Sequence, residues 1–163
     1  MIGLGVTVTA TLDMLLVTEL DKKFTIKLYN YKEHVQRFME KYNLNDNISF
    51  IVCDDYDSTV KGSDVIISSL TVAGQDLCED DKFDEECLLL PIHTRGFKNC
   101  DLFFDKVCGD DIGPIRCFEY FDRFNSFSEV ADVMSGQCEG CKNDSERILV
   151  YNVGIAIHDI YCS

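Results

Sequence analysis

The sequence of 163 residues has few basic residues, few prolines and no long apolar run, and each shortage excludes a class of protein. Fifteen Lys and Arg stand against 29 Asp and Glu, a net charge of −14, so we expect no surface for nucleic acid or an anionic membrane. Two prolines and ten glycines are too few for a low-complexity linker. No apolar run approaches the ~18 residues of a membrane span, and the first residues lack the basic segment of a secretory signal.

Nine cysteines are scattered along the chain. A small secreted domain would carry a dense, even-numbered set, so we interpret most of them as small buried hydrophobic residues in a reducing cytoplasm. Cys138 and Cys141 form a single CxxC motif, without a second pair or histidines at ligand spacing. Because one pair cannot complete the four-coordinate shell of zinc, we predict no metal site, with a metal or redox role as the alternative.

Hydrophobic periodicity predicts alternating strands and helices. The helical period appears in residues 6–20, 31–42 and 127–134. Strand-like segments are residues 24–29, 48–53, 64–70, 87–92, 102–107 and 148–152, with a short strand or loop at 115–118. This alternation is typical of βαβ units, and it predicts an α/β fold in one domain, an open and mainly parallel sheet with helices on both faces. Ligands of such sheets bind outside the carboxyl ends of the strands.

A glycine turn at the start of the chain is the strongest candidate for a ligand site. Gly3 and Gly5 occupy the first two glycine positions of the Rossmann dinucleotide fingerprint GxGxxG, directly before a predicted helix. Gly3 would allow the tight turn, and Gly5 would let the backbone approach a pyrophosphate at the helix N-terminus. Val8 stands at the third position, so the fingerprint is incomplete. The alternative is a glycine turn that has lost its ligand.

Asn30 ends the next predicted strand, at the position that reads the cofactor ribose in such folds. An acidic side chain there would accept from the 2′-hydroxyl and repel a 2′-phosphate. A neutral Asn can bond a hydroxyl without that repulsion. The sequence therefore leaves both NAD and NADP open as cofactor.

Acidic and aromatic clusters occupy the second half of the chain. Residues 71–86 are rich in acidic side chains and are predicted to be a solvated loop, with one helical turn as the alternative. We interpret Asp110 and Asp111 as a solvated turn, with a cation site as the alternative. Seven phenylalanines fall between residues 97 and 127. They form either the core or a surface that a further domain would cover.

Three segments, residues 2–7, 62–69 and 148–160, resemble the ornithine cyclodeaminase and mu-crystallin family. The third is the most specific, because Asn152-Val-Gly154 after a strand is similar to the family's Ser/Asn-Val-Gly-x-Ala-x-x-Asp helix opening. The resemblance covers the family's nucleotide-binding domain alone. Members also have an N-terminal domain for dimerisation and substrate binding and a C-terminal helix, so we expect this chain to be incomplete at both ends.

The resemblance implies a site for NAD or NADP along the carboxyl ends of the strands. Gly3 and Gly5 would form the phosphate turn, Asn30 would take the ribose, and Asn152 and Val153 would contact the nicotinamide. The full set of implied cofactor residues is Gly3, Gly5, Val6, Thr7, Asn30, Ser68, Ser69, Asn152 and Val153. The partners implied are the nucleotide and a small amino acid or imine, with a homodimer only where the further domain is present.

The chemistry implied by the resemblance is hydride transfer at the α-carbon of an amino acid or imine, which converts ornithine to proline and ammonia in the type enzymes. A loop Asp assists proton transfer in the family. Residues 91–101 are too short for that loop, and Asp101 is the nearest carboxylate, so it is the catalytic candidate.

His93, Arg95 and Lys98 form a basic cluster beside it, which faces either the cofactor or substrate anion or the solvent, and His93 is included with the cofactor residues. Two alternatives to an enzyme stay open: a mu-crystallin-like protein that binds the nucleotide or a small ligand without important turnover, and an inactive remnant.

Overall fold

The computed structural model describes residues 1–32, 34–70, 73–92 and 96–154. The strands are β1 (Phe24–Tyr29), β2 (Ile48–Cys53), β3 (Val65–Ser68), β4 (Leu88–Pro91), β5 (Lys106–Gly109), β6 (Phe127–Glu129) and β7 (Ile148–Tyr151). The α-helices are α1 (Val6–Thr18), α2 (His34–Lys41), α3 (Tyr56–Val60), α4 (Ile112–Ile115) and α5 (Val130–Met134). Short 3₁₀ helices cover Asp80–Lys82, Lys98–Leu102 and Phe121–Arg123.

The strands pair in parallel throughout the described residues. One sheet has the order β1-β2 and the other the order β3-β4-β7-β5-β6. Met1 and Ile2 join the two sheets. The amide of Ile2 donates to the carbonyl of Ile67 at 2.8 Å, and the amide of Tyr29 donates to the carbonyl of Met1 at 3.1 Å. The parallel hydrogen bonding therefore continues from β1 through Met1 and Ile2 to β3, and these two residues lie at the centre of the combined sheet.

The chain leaves this centre in two directions. It runs through α1 to β1 and β2 on one side, and then crosses to β3 on the other side of Ile2. The border between Ile2 and β3 is thus the topological switch point of the sheet, where α/β folds of this type bind ligands. The predicted fold, an open parallel α/β sheet of Rossmann type, is confirmed.

Two apolar cores lie on opposite faces of the sheet, because successive strand residues point to opposite sides. Ile66 belongs to one core and Ile67 to the other. The first core is aromatic. Two of the seven phenylalanines, Phe97 and Phe104, are fully buried in it, and the other five are partly buried and pack against it. The second core packs α1 and α2 against β1 through fully buried Leu12 and Leu28.

Two of the predicted elements were wrong. The strand predicted at 102–107 begins only at Lys106, because residues 98–102 form a 3₁₀ helix and the ring of Phe104 packs edge-to-face on that of Phe83 at 5.5 Å. The helix predicted at 127–134 begins only at Val130, because Phe127 pairs with Val107 at the edge of the sheet. Both errors arise where tertiary contacts override local apolar pattern.

Residues 115–118 form no strand, and residues 116–118 lie in a turn, which agrees with the loop alternative. Ile115 closes the short helix α4, and the backbone amide of Phe118 donates to the carbonyl of Ile115 at 2.9 Å in the turn that follows. The helix opens at Asp111, whose carboxylate accepts from the backbone amide of Gly113 at 2.8 Å. Asp111 is therefore an N-cap rather than part of a solvated turn.

Most of the described cysteines are buried free thiols, as predicted: Cys53, Cys78, Cys87, Cys100 and Cys108. Burial raises the pKa of the Cys78 thiol to about 12 and that of Cys87 to about 11, so both stay protonated and unreactive at neutral pH. Within the described ranges, no helix is long and apolar enough to cross a bilayer.

Candidate functional site

The turn after the central strand segment is built on Gly3. Its φ is +80°, and a Cβ atom would lie 2.9 Å from the carbonyl carbon of Ser69. Ser69 closes the turn from the neighbouring chain segment, because its hydroxyl donates to the carbonyl of Gly3 at 2.7 Å. Both the backbone angle and the close approach therefore require glycine at position 3.

The backbone does not require glycine at position 5, in contrast to position 3. Gly5 is the N-cap of α1 with a φ of −90°, and no side chain caps the helix. A Cβ atom at Gly5 would meet nothing within 4 Å, so the missing side chain opens space rather than relieving a clash. The amides of the first helical turn have no partner within the helix, and the helix dipole places positive potential there. This combination favours an anion such as a phosphate.

Val8, which replaces the third glycine of the fingerprint, is accommodated in the core. Its side chain is fully buried in the same apolar cluster as Leu12 and Leu28. The helix of the glycine turn is therefore anchored on the sheet by an aliphatic contact.

Asn30 follows β1 at the same edge and is exposed. Its backbone amide donates to the carbonyl of Cys53 at 2.7 Å. Its side-chain amide donates to the carboxylate of Asp54 at 2.9 Å. Asp54 comes directly after β2, and the sequence pattern did not single it out. The predicted ribose position is thus an Asn–Asp pair that spans two neighbouring strands.

Ser68 and Ser69 end β3 beside the glycine turn. Ser68 is buried, 2% exposed, and pairs with Ile2 across the switch point. The hydroxyl of Ser69 bonds the turn itself. Both serines therefore stabilise the turn, and their direct contact with a nucleotide stays a prediction.

Asn152 and Val153 follow β7, and a carboxylate from the neighbouring strand holds this segment. The Oδ1 atom of Asp110, just after β5, accepts from the amide of Val153 at 3.3 Å, and its Oδ2 atom accepts from the amide of Gly154 at 2.8 Å. Asp110 therefore organises the loop that the resemblance assigns to the nicotinamide, and its interpretation as part of a solvated turn was wrong. The signal was the position of Asp110 at a strand end.

Asp101 is buried beside the end of β7 rather than exposed at this edge. The residue is fully buried, and its Oδ1 atom accepts from the hydroxyl of Tyr151 at 2.5 Å. Its catalytic role stays a prediction that this burial does not favour. Lys98 forms an exposed ion pair with Glu119 at 3.3 Å. His93 and Arg95 lie outside the described residues.

An acidic cavity of about 480 Å³ opens beside α3. It is lined by Asp55, Tyr56, Asp57, Gln75, Asp76, Leu77, Cys78, Glu79, Asp80 and Asn99. Its carboxylates serve protein donors: Asp76 accepts from the amide of Lys98 at 2.9 Å, and Asp80 accepts from the side chain of Asn99 at 2.7 Å. No group of three or more described His, Cys, Asp or Glu residues has a metal-binding arrangement.

The glycine turn, the uncapped helix and the parallel carboxyl edge define a Rossmann-type fold, and the turn is its candidate anion site. No protein-family model matches the chain. One curated relative, the nodulation efficiency protein NfeD of Rhizobium meliloti, is 29% identical over 108 residues, which are 62% of this chain and 34% of that protein. The chain spans about a third of the length of that relative.

Solved structures share the fold at low sequence identity. Δ1-pyrroline-2-carboxylate reductase of Thermococcus litoralis, in complex with NADH and L-proline, matches 97% of this chain and 53% of its own, with a TM-score of 0.76 and 18% identity. CmnK matches 98% of this chain and 50% of its own, with a TM-score of 0.76 and 14% identity. A probable ornithine cyclodeaminase of Bordetella pertussis matches 83% of this chain over 48% of its own length, with a TM-score of 0.65 and 12% identity.

These matches confirm, at the level of the fold, the resemblance to the ornithine cyclodeaminase family that the sequence motifs carry. The chain spans about half the length of the solved proteins.

Proposed function

We propose that this chain is the NAD(P)-binding domain of an ornithine cyclodeaminase-like protein. The observation that carries the proposal is the N-terminus of α1, which lies at the switch point of a parallel sheet, has no side-chain cap and opens to solvent at Gly5. Asn30 at the end of β1 supports it, since it lies where the ribose of a dinucleotide bound at this turn would lie. The Thermococcus reductase, which shares the fold, holds NADH.

In a longer protein, the bound nucleotide would accept and return a hydride at the α-carbon of an amino acid or imine. The chain's own contribution would be to bind and orient the nucleotide. The first-turn amides of α1 would bind the pyrophosphate, Asn30 would accept from the ribose, and the loop that Asp110 holds would position the nicotinamide. A reducing cytoplasm fits the buried free thiols and is part of the proposal.

A second function, nucleotide binding without important turnover, is favoured by one observation. The predicted catalytic carboxylate, Asp101, is fully buried and accepts a hydrogen bond from the hydroxyl of Tyr151, so it is closed to a substrate in this structure. A group that exchanges protons with a substrate must come within hydrogen-bond reach of it. The two functions differ in turnover and share the binding site.

The test is a fluorescence titration of the folded chain with NADH, with Gly5→Ala as the variant. The added methyl group would occupy the open space where a phosphate must approach the amides, and each charge-assisted hydrogen bond lost is worth enough to weaken binding about tenfold or more. Gly140→Ala is the matched control, because a Cβ atom there makes only an ordinary 3.4 Å contact with Val133, remote from the turn.

Saturable NADH binding that Gly5→Ala weakens and Gly140→Ala preserves would support the proposal. A folded chain that binds no NADH, or that binds it equally in both variants, would contradict it. Turnover of L-proline or ornithine by a longer protein that contains this chain would then separate the enzyme from the binding protein.

A further inference from the structure

We infer that the ribose end of the site selects NAD(H) over NADP(H), and that Asp54 is the specificity-determining residue. This inference rests on the proposed function, because it concerns the same nucleotide. It goes beyond the sequence pattern, in which Asn30 alone left both cofactors open. The new observation is the hydrogen bond from Asn30 to Asp54 at 2.9 Å.

The strand register brings the two residues together. Tyr29 at the end of β1 is the parallel partner of Cys53 at the end of β2. Asn30 and Asp54 each follow by one residue, and the amide of Asn30 donates to the carbonyl of Cys53. Both side chains are exposed at the carboxyl edge of the sheet. Asp54 therefore adds a carboxylate to the ribose position from a neighbouring strand.

The hydrogen bond also orients the Asn30 side chain. An ionised carboxylate can only accept, so the amide nitrogen of Asn30 must face Asp54 and the amide oxygen must face away. The 2′-hydroxyl of NAD can donate to that oxygen or to Asp54. A 2′-phosphate is close to a dianion at neutral pH and offers only acceptors, so it would meet two acceptors and a negative charge.

The surrounding charge acts in the same direction. Asp55 and Asp57 follow Asp54 into α3 and line the acidic cavity. The cation close by in sequence is Lys32, whose ammonium lies 4.8 Å from the centroid of the Tyr31 ring. A site for a 2′-phosphate would instead place an arginine or lysine directly against the ribose.

NADH and NADPH differ only in the 2′-phosphate, so the ratio of their affinities isolates this end of the site. For the unmodified chain we expect NADH to bind about tenfold tighter, the order expected when a carboxylate faces a phosphate dianion across ~6 Å of solvent. Asp54→Asn should narrow the ratio to about threefold or less, because removal of the negative charge strengthens NADPH binding. Asp54→Ser serves as the second variant if the first fails to fold.

Asp21→Asn is the matched control, since it removes one exposed carboxylate at the opposite edge of the sheet and should preserve the ratio. Equal affinities, tighter NADPH binding, or a ratio that neither Asp54 variant changes would overturn the inference while the proposed function stands. Loss of NADPH affinity alone in Lys32→Ala would also overturn it, because the lysine would then hold the phosphate. A folded chain that binds neither nucleotide would overturn the proposed function itself.

Discussion

The two halves of the chain are held together in different ways. In the first half, residues 1–70, the α-helices have 13, 8 and 5 residues, the two longer ones pack on a regular parallel pair, and the turn at Gly3 is made by backbone geometry. In the second half, residues 73–154, the α-helices have 4 and 5 residues, and phenylalanines in edge-to-face contact define the packing. The first half presents a regular binding edge, and the second supports that edge from the core.

Hydrogen bonds from polar side chains also differ between the two halves. In the second half, buried Lys106 holds the CxxC loop, since its ammonium donates to the carbonyl of Glu139 at 3.1 Å and to that of Gly140. Glu146 lies 3.8 Å from the same ammonium. In the first half, the hydroxyl of Ser69 donates a hydrogen bond to the glycine turn, at the carbonyl of Gly3. We therefore expect side-chain changes to damage the second half and backbone changes to damage the first.

We expect the largest loss of stability from a substitution in the aromatic core. Phe104 is fully buried and packs on Phe83 and Phe103, with ring centroids 5.5 and 5.1 Å away. Phe104→Ala should lower the free energy of unfolding by about 3–5 kcal/mol, measured by denaturant titration. Met134→Ala, at a residue that is 83% exposed, is the control with little effect. A loss below about 1 kcal/mol in Phe104→Ala would show that the aromatic cluster does not organise this half.

The second largest change in stability is expected in the first half, where the free energy of unfolding should depend on pH. In a polypeptide that begins at Met1, burial between the strands lowers the pKa of the Met1 amino group from 8.0 to about 6, and this group donates to the carbonyl of Lys27 at 2.5 Å. The unfolded chain therefore binds more protons between pH 8 and 6, so stability should fall as the pH is lowered through that window, by at most about 3 kcal/mol. Thermal unfolding at several pH values measures it.

An N-terminally acetylated chain is the control for this effect, because it keeps a backbone N–H and loses the titrating charge. Its stability should be nearly independent of pH between 6 and 8, because the group that titrates in this window is removed. The same pH dependence in both forms would exclude the amino group as its source.

The two glycines of the turn give a smaller effect that separates folding from binding. Gly3→Ala should cost about 2 kcal/mol of stability, because it forces a side chain into the left-handed region and against the backbone of Ser69. Gly5→Ala should change stability by less than about 1 kcal/mol and act on nucleotide binding instead. Chemical unfolding of both variants makes the comparison. A reversed order of the two stability losses would contradict the account of the turn.

The smallest effect is expected at the cap of α4. The carboxylate of Asp111 accepts from the amide of Gly113 at 2.8 Å, so Asp111→Ala should lower the unfolding free energy by about 1 kcal/mol. Asp122→Ala removes an exposed carboxylate in the same half and should have less effect, within about 0.5 kcal/mol. Equal losses in both variants would argue that the cap contributes nothing.

The first half was the better predicted from sequence, for a physical reason. Gly3, Gly5 and Asn30 belong to a local pattern of strand, turn, helix and strand, which one segment of chain contains. Asp54 and Asp110 were missed as site residues because each acts on a partner that is distant in sequence, Asn30 and Val153 respectively. No local pattern records such pairs, since they depend on which strand ends become neighbours in the sheet.

The second half was predicted less well because its elements are short. A strand of three residues such as β6 and a helix of four such as α4 carry too little periodicity to be recognised. Their boundaries follow from strand pairing with β5 and from the Asp111 cap. The apolar segments were identified from the sequence. Whether each segment forms a strand or a helix depends on tertiary contacts, which the sequence pattern does not contain.

The most direct test of the account is an NMR titration of the ¹⁵N-labelled chain with NADH. The account predicts saturable shifts of the Val6 and Thr7 amides at the start of α1 and of Asn30 at the end of β1, while the CxxC loop at residues 138–141 is unaffected. Shifts confined to the acidic cavity at residues 75–80, or no shifts in a folded chain, would contradict a dinucleotide site at the glycine turn.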